Sequence, residues 1–299
     1  MVGVAAFSGM VLGSSWFRQS GVASSRPCFA TGTANRWAQK QNNVKAISSM
    51  KPQISYVICA VQRSGSFLLC EALKNTGLAG FPEEYFLNGA GWEDNPWARQ
   101  QGVISRRDYL NLVFEQGTSP NGVFGTKVMW NYFHAMLKTL QELPEYKDLD
   151  PPQLMASLFP NVHYIWIVRR DKVRQAVSWA KAGQTDVYAW PKRETSIPKR
   201  EPTFDFAFID LLYNLILEGE AGWQSFFEAC GVEPFKVEYE ELVDAYEPTA
   251  LRILDHLNVS YPKNLVFGER RLQKQADALN EVWVQKYIEM KHAKDKECA

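Results

Sequence analysis

A short polar loop that holds one arginine and two serines is the part of this sequence with the clearest chemistry. Residues 62–66 read Gln-Arg-Ser-Gly-Ser and lie between an apolar run, residues 56–61, and an apolar helical pattern that begins at Leu68. The N–H groups at the start of a helix have no helical partners, and the helix dipole favours negative charge there. Gly65 lets the backbone approach a ligand closely, and Arg63 adds a positive charge with a planar set of donors. The loop therefore predicts a site for phosphate or sulfate, and we call residues 62–66 the phosphate loop.

The order of residues in this loop separates it from the nucleoside-triphosphate loop that ends in Gly-Lys-Ser/Thr. In that loop the lysine reaches the terminal phosphates and the hydroxyl binds magnesium. Here Arg63 comes before Ser64, Gly65 and Ser66, and no lysine follows the glycine. An arginine before the serine suits an anion that is held by charge and hydrogen bonds without a metal. The alternative is an ordinary turn in which a serine caps the helix, but capping does not explain the arginine.

A second candidate anion site follows the apolar run at residues 162–168. Arg169 closes this run, and Ser178 lies nine residues later in a predicted helix. Taken alone, these two residues fit a solvated strand end and a neutral helix position. The phosphate loop makes a functional interpretation stronger, because ligands of parallel sheets bind at the carboxyl ends of the strands. A ligand with two separated anionic groups would need two such sites.

The elements that must position these residues alternate between strands and helices. The predicted strands are residues 56–61, 122–130, 162–168 and 234–239. The predicted helices begin after the phosphate loop and continue with residues 105–116, 131–143, 172–182, 204–230, 249–257 and 281–291. This alternation predicts an α/β fold, in which helices cover both faces of a mainly parallel sheet. Residues 183–203 contain three prolines and are predicted to form a loop.

The composition is that of a globular protein long enough for one large domain or two small ones. The chain has 299 residues, of which 46% are hydrophobic and 22% are charged, and its net charge is zero. Zero net charge argues against a general nucleic-acid binder, and no segment is apolar for long enough to span a membrane. The five cysteines form no CxxC pair, and the four histidines show no metal spacing. We therefore predict a reducing compartment and no metal site.

The first 54 residues differ from the rest of the chain in charge. They contain six Lys or Arg residues and no Asp or Glu, and they are rich in Ser, Ala, Gly and Asn. A basic, serine-rich segment without acids is typical of an organelle transit peptide. We predict that residues 1–54 are a transit peptide or a disordered leader and that residues 55–299 form the α/β domain. A plastid is the predicted location, with a mitochondrion or the cytoplasm as alternatives.

Five segments in the correct order resemble the bacterial trehalose 2-sulfotransferase family, whose members use 3′-phosphoadenosine 5′-phosphosulfate (PAPS). The matching segments are residues 62–66, 80–86, 125–131, 169–178 and 273–277, the last followed by Trp283. A basic residue before Ser-Gly-Ser, and an arginine with a serine about two helical turns on, are signatures of such enzymes. The resemblance covers roughly residues 54–290 and implies a P-loop-like, sulfotransferase-like fold.

The resemblance also implies which residues bind PAPS. Those expected to contact the 5′-phosphosulfate lie in or next to the first loop: Gln62, Arg63, Ser64, Gly65, Ser66 and Phe67. Arg169 and Ser178 would bind the 3′-phosphate. Lys274 and Gln275 would belong to a C-terminal nucleotide-binding loop. The family usually has Ser or Thr where this chain has Phe67, so one hydroxyl of the predicted donor site is missing.

For catalysis, the resemblance places the general base at Glu84, which would take the proton from the acceptor hydroxyl. Arg63 would stabilise the leaving phosphate, and Lys127 would neutralise the sulfuryl oxygens. Adjacent residues of an extended segment point to opposite sides, so Glu83 should not share the role of Glu84. If neither acid serves, the next candidates for the base are His134 and His163.

The sequence thus predicts a PAPS-dependent sulfotransferase that acts on a hydroxyl group of a carbohydrate or another small molecule. We expect no nucleic-acid or membrane partner, and a homodimer is left open. Trehalose is not carried over as the substrate, because acceptor-selecting loops such as residues 183–203 cannot be matched to the family. A nucleotide kinase or other P-loop NTPase is the enzyme alternative, which magnesium dependence would reveal. A catalytically inactive nucleotide-binding module is the third hypothesis, and Phe67 is its only support.

Overall fold

A four-stranded parallel sheet, in the order β2-β1-β3-β4, forms the centre of the molecule. The structure is a computed structural model, and it describes residues 52–87, 96–185, 201–272 and 278–297. The strands are β1 (Ile54–Ala60), β2 (Val123–Met129), β3 (Val162–Val168) and β4 (Phe235–Glu238). The helices are α1 (Ser66–Asn75), α2 (Pro96–Gln100), α3 (Arg106–Gly117), α4 (Trp130–Leu140), α5 (Pro151–Leu158), α6 (Lys172–Thr185), α7 (Phe206–Cys230), α8 (Tyr239–Asp244), α9 (Tyr246–His256) and α10 (Ala278–Glu297).

Strand β1 lies inside the sheet and is buried on both of its faces. Its side chains alternate between two hydrophobic cores, with Val57 and Cys59 in one and Tyr56 and Ile58 in the other. A parallel strand that is covered on both sides needs apolar residues at successive positions. This requirement explains the continuous apolar run in the sequence. The parallel sheet with a core on each face confirms the predicted α/β fold.

One of the two cores is rich in aromatic side chains from helices α4 and α7 and contacts the carboxyl end of β1. Trp223 of α7 is fully buried, and its indole N–H donates to the carbonyl oxygen of Ala60 at 3.0 Å. The ring of Phe133 in α4 lies 4.9 Å from that of Trp223, and the ring of Phe226 lies 5.9 Å from it. This contact fixes the end of β1, from which the phosphate loop leaves.

The other core is covered by helices α1, α8 and α9. Leu69 and Leu73 of α1 pack here against the second face of β1. Helix α1 also holds a distant part of the chain, because the carboxylate of Glu71 accepts hydrogen bonds from the N–H groups of Arg271 and Leu272. The helix that starts at the phosphate loop is thus attached both to the sheet and to the segment that precedes α10.

Three short helices, α2, α5 and α8, were not predicted from the sequence. Helix α5 begins with two prolines, and its cap is Asp150, whose side chain accepts a hydrogen bond from the N–H of Gln153 at 2.8 Å. Helix α8 follows β4 without a loop. The loop predicted at residues 183–203 starts later than expected, because α6 continues to Thr185, and residues 186–200 lie outside the described residues.

The leader prediction cannot be compared with the fold, because residues 1–51 lie outside the described part of the chain. Strand β1 begins at Ile54, close to the predicted start of the α/β domain. Within the described ranges, none of the helices is both long enough and apolar enough to cross a membrane.

Candidate active site

The phosphate loop joins β1 to α1 in a tight turn with two unusual backbone positions. Arg63 and Gly65 both adopt positive φ angles, 64° and 92°. A Cβ atom at Gly65 would overlap the ring of Tyr239, so this position has no room for a larger residue. The N–H of Leu69 donates to the carbonyl oxygen of Gly65 at 3.1 Å, which leaves the earlier N–H groups of α1 without helical partners. The loop therefore ends in the open helix N-terminus that the sequence predicts for an anion site.

Helix α6 holds the phosphate loop at two positions that lie one turn apart. Gln175 is fully buried, and its Nε2 donates to the carbonyl oxygen of Gln62 at 2.8 Å. Ser178 accepts a hydrogen bond from the Nε of Arg63 at 3.0 Å. Residues three apart share a helix face, so the face of α6 that carries Ser178 is the face that contacts the loop. The two predicted anion sites are thus neighbours, and Gln175 is a contact that the sequence analysis missed.

Arg169 reaches the same edge of the sheet from the end of β3. It is only 9% exposed, and its guanidinium carbon lies 4.9 Å from the centroid of the Tyr239 ring. Burial lowers the pKa of Arg169, although an arginine side chain keeps its charge at any ordinary pH. Tyr239 therefore lies between Arg169 and the phosphate loop, since the same ring closes over Gly65.

Buried polar atoms without partners mark this edge of the sheet. Five buried side-chain atoms of the described residues have no hydrogen-bond partner. Three of them, the Nε of Arg169, the Oγ of Ser64 and the Oε1 of Gln175, lie at this edge, and the other two belong to Ser55 and Trp166. Buried polar groups in native proteins are almost always paired, so these atoms indicate a polar ligand. Arg169 and Ser64 are donors that suit an anion, whereas the Oε1 of Gln175 is an acceptor and suits a hydroxyl group. Together they fit a ligand such as a phosphorylated nucleoside.

Glu83 forms an isolated parallel bridge with Thr126 of strand β2, and Glu84 follows it directly. The carbonyl oxygen of Glu83 accepts a hydrogen bond from the N–H of Lys127 at 2.9 Å. The side chain of Glu83 pairs with Lys74 at 2.5 Å, whereas Oε2 of Glu84 lies 2.9 Å from the Nζ of Lys127. The two acids thus have different partners, as expected for neighbours in an extended segment. Glu84 is the acid that meets the predicted catalytic lysine.

Lys127 is enclosed by an acid and an aromatic ring. It lies within β2 and is 1% exposed, and its Nζ is 3.6 Å from the centroid of the Phe67 ring. Phe67 lies in the first turn of α1, directly after the phosphate loop. The chain therefore brings Glu84, Lys127 and the loop together, although they are far apart in the sequence. We call Glu84, Lys127 and Phe67 the base cluster.

Asn131 and Tyr132 at the start of α4 interact with the phosphate loop and with Glu84, respectively, and neither was predicted as a site residue. The side-chain amide of Gln62 donates to the Oδ1 of Asn131. Burial raises the pKa of the Tyr132 hydroxyl; a hydrogen bond with Asn131 opposes this rise, and the negative charge of Glu84 adds to it. Tyr132 therefore lies within electrostatic reach of Glu84. The signal in the sequence was their place directly after a strand, where parallel sheets carry ligand-binding groups.

Comparison with known proteins identifies the family of this chain. A model of the Stf0 sulphotransferase family matches residues 55–290. The chain belongs to this sulfotransferase family. Two trehalose 2-sulfotransferases are among its relatives. The protein from Mycolicibacterium smegmatis is 29% identical over 78% of this chain and 94% of its own length. The protein from Mycobacterium tuberculosis is 28% identical over 78% of this chain and 93% of its own length.

Not every residue predicted for this sulfotransferase can be placed. Lys274 and Gln275 lie outside the described residues. His163 lies near the amino end of β3, at the end of the sheet opposite to the phosphate loop, and its ring is 5.3 Å from that of His256. His134 packs against Trp130 at 5.0 Å between ring centroids. In the described part of the chain, no three His, Cys, Asp or Glu side chains are grouped to hold a metal ion.

Proposed function

We propose that this sulfotransferase moves a sulfuryl group from PAPS to a hydroxyl group of a small molecule, with Glu84 as the general base. The observation that carries the proposal is the base cluster, in which Glu84 meets the buried Lys127 next to the phosphate loop. Membership of the family supports sulfuryl transfer as the reaction. The names of the two relatives support a carbohydrate as the acceptor class.

The donor would be held by its two anionic ends. Ser64 and the open N–H groups at the start of α1 would bind the 5′-phosphosulfate together with Arg63, whose charge takes the place of a loop lysine. Arg169 would bind the 3′-phosphate, and its unpaired Nε supports this role. Ser178 accepts a hydrogen bond from Arg63, so its own hydroxyl proton is left to donate to the same phosphate.

PAPS supplies an activated sulfuryl group, and the side chains of this chain would position and stabilise the atoms that react. As in phosphoryl transfer, an in-line exchange between two oxygens depends mostly on positioning and electrostatics. Arg63 and the helix N–H groups would stabilise negative charge on the leaving phosphate. Lys127 lies between the base and the loop, where its ammonium group can neutralise the sulfuryl oxygens.

Glu84 would accept the proton of the acceptor hydroxyl as that oxygen forms its bond to sulfur. The ion pair with Lys127 occupies Oε2 and fixes the direction of the carboxylate. The Oε1 atom would accept the hydroxyl proton, on an acid whose side chain is 18% exposed. A positioned base of this kind typically contributes about 10²–10⁴-fold to the rate.

Incubation with labelled PAPS and a fractionated small-molecule extract tests the proposal. We expect a labelled product and release of 3′,5′-ADP, with the same rate when a magnesium chelator is added. ATP hydrolysis that stops with the chelator would instead support a P-loop NTPase. Tight binding of 3′,5′-ADP with no transfer to any fraction would support an inactive nucleotide-binding module.

A further inference from the structure

The Phe67 ring lies where the acceptor of the proposed reaction has to approach. It contacts the ammonium group of Lys127, and the other partner of that group is Glu84. The ring and the proposed base therefore flank the same buried cation. A hydroxyl group that delivers its proton to Glu84 must enter within a few ångströms of this ring.

Phe67 also differs from its sequence neighbours in exposure. Ser64, Ser66 and Leu68 are all buried, whereas Phe67 is 39% exposed. The phenyl ring has no hydrogen-bonding group, so this side chain cannot bind the donor through a hydrogen bond. Apolar surface next to an active site gains free energy when a ligand covers it. The side chain is thus better suited to contact an apolar part of the acceptor than the charged donor.

We propose that Phe67 selects acceptors that present the apolar face of a ring beside the reacting hydroxyl. This inference rests on the proposed function, and it adds to the proposed base a residue that determines acceptor specificity. Tyr132, within electrostatic reach of Glu84, and Asn131, which accepts a hydrogen bond from Gln62 of the phosphate loop, supply polar groups nearby. An apolar wall with a few placed polar groups is the usual design of a small-molecule site. An open-chain polyol can reach the same polar groups but leaves the ring uncovered.

A matched pair of acceptors tests this inference, namely methyl α-glucopyranoside and the open-chain polyol glucitol. Two quantities are measured for each: kcat/KM with PAPS, and affinity for the protein saturated with 3′,5′-ADP. We expect the wild type to prefer the ring compound by about fivefold to tenfold, since an aromatic contact has roughly that worth. Phe67→Ser should remove most of this preference without weakening the binding of 3′,5′-ADP. Phe81→Ser is the control, because Phe81 is also 39% exposed but is not part of the base cluster.

The possible results separate this inference from the proposed function. No transfer from PAPS, together with a ring preference in binding that Phe67→Ser removes, would reject the function and keep the acceptor site. Transfer with an unchanged preference in Phe67→Ser, or with no preference in the wild type, would reject the inference alone. An equal loss for both acceptors would also reject it, because the ring would then only position Lys127. The same loss of preference in Phe81→Ser would show that the position of Phe67 is not special.

Discussion

Glu84 balances a buried charge, so its replacement should reduce stability as well as turnover. Lys127 is 1% exposed, and removal of one partner of a buried ion pair typically costs about 3–5 kcal/mol. Glu84→Gln should cost less, because Glu84 is 18% exposed and glutamine keeps an oxygen that can accept from the ammonium group. The Phe67 ring also remains, and a cation–π contact is worth about 0.5–2 kcal/mol. We expect a loss of about 2 kcal/mol in the free energy of unfolding, which lowers Tm by roughly 4–8 °C.

A double-mutant cycle measured by urea unfolding tests this reasoning. Lys127→Met keeps most of the side-chain length and removes the charge, and it is combined with Glu84→Gln. Because the two groups contact each other, the loss in the double mutant should be smaller than the sum of the single losses by about 0.5–3 kcal/mol. Turnover of PAPS by Glu84→Gln should fall by about 10²-fold or more, while the affinity for 3′,5′-ADP stays nearly unchanged.

Glu83→Gln is the matched control, because it makes the same chemical change one residue earlier. Glu83 and Lys74 are 50% and 31% exposed, and an exposed pair contributes only about 0.2–1 kcal/mol. Its effects on stability and turnover should therefore both be small. Additive losses in the cycle would refute the Glu84–Lys127 pair in solution. A larger loss of turnover in Glu83→Gln would move the proposed base by one residue.

Four further predictions concern the donor site, the start of α6 and the leader. Arg169→Ala should weaken binding of 3′,5′-ADP about tenfold or more beyond any effect on 5′-AMP in calorimetry; an equal loss for both nucleotides would assign this arginine to another group. Gln175→Met should weaken binding of both nucleotides, because it removes the hydrogen bond that holds the loop carbonyl at 2.8 Å; unchanged affinities would show that the loop needs no such support. Burial by itself would raise the pKa of Glu240, but hydrogen bonds from the N–H groups of Arg170 and Asp171, just before α6, outweigh this effect. The pKa of Glu240 is therefore below its ordinary value. Ionised Glu240 should therefore stabilise the fold fully above about pH 4.3, the ordinary pKa of glutamate, and this contribution should be lost as the pH falls through the lowered pKa. In urea unfolding, the free energy of unfolding of Glu240→Gln should fall less in acid than that of the wild type, and an identical fall would refute this stabilising role of Glu240. A fluorescent fusion of residues 1–55 should enter plastids, and cytosolic fluorescence would reject the targeting prediction.

The sequence was sufficient for those parts of the fold that depend on local patterns. The apolar run of β1 predicted a buried parallel strand, because both faces of that strand need apolar side chains. Glycine and serine predicted the open start of α1, since few residues tolerate a φ angle of 92°. The alternation of an extended segment predicted that Glu83 and Glu84 point to opposite sides, and in the structure they pair with different lysines.

Other features of the site depend on contacts between residues that are distant in sequence. Gln175 reads as an ordinary polar helix residue, and only the approach of α6 to the loop makes it a buried support. Tyr239 reads as the end of a strand, yet its ring closes over Gly65 and lies beside Arg169. No local pattern reports such contacts, because they arise from the order in which strands are placed in the sheet. The contact between Phe67 and Lys127 was not predicted either, because it joins residues of α1 and β2 that are distant in the sequence.

The contacts of α6 would couple the binding of the two ends of the proposed donor. Arg63, from the loop for the 5′ group, is bonded to Ser178, the proposed ligand of the 3′-phosphate. A shift of α6 that changes the contact of Ser178 with the 3′-phosphate would therefore also change the contact of Arg63 with the 5′ group. By thermodynamic reciprocity, binding at either of these two positions would change the affinity of the other by the same factor. With the proposed donor, substitutions that loosen binding of the 3′-phosphate would therefore also loosen binding of the reactive end. Substitutions around the acceptor would not carry this cost, so the acceptor would be the part of the reaction that evolution can change more freely.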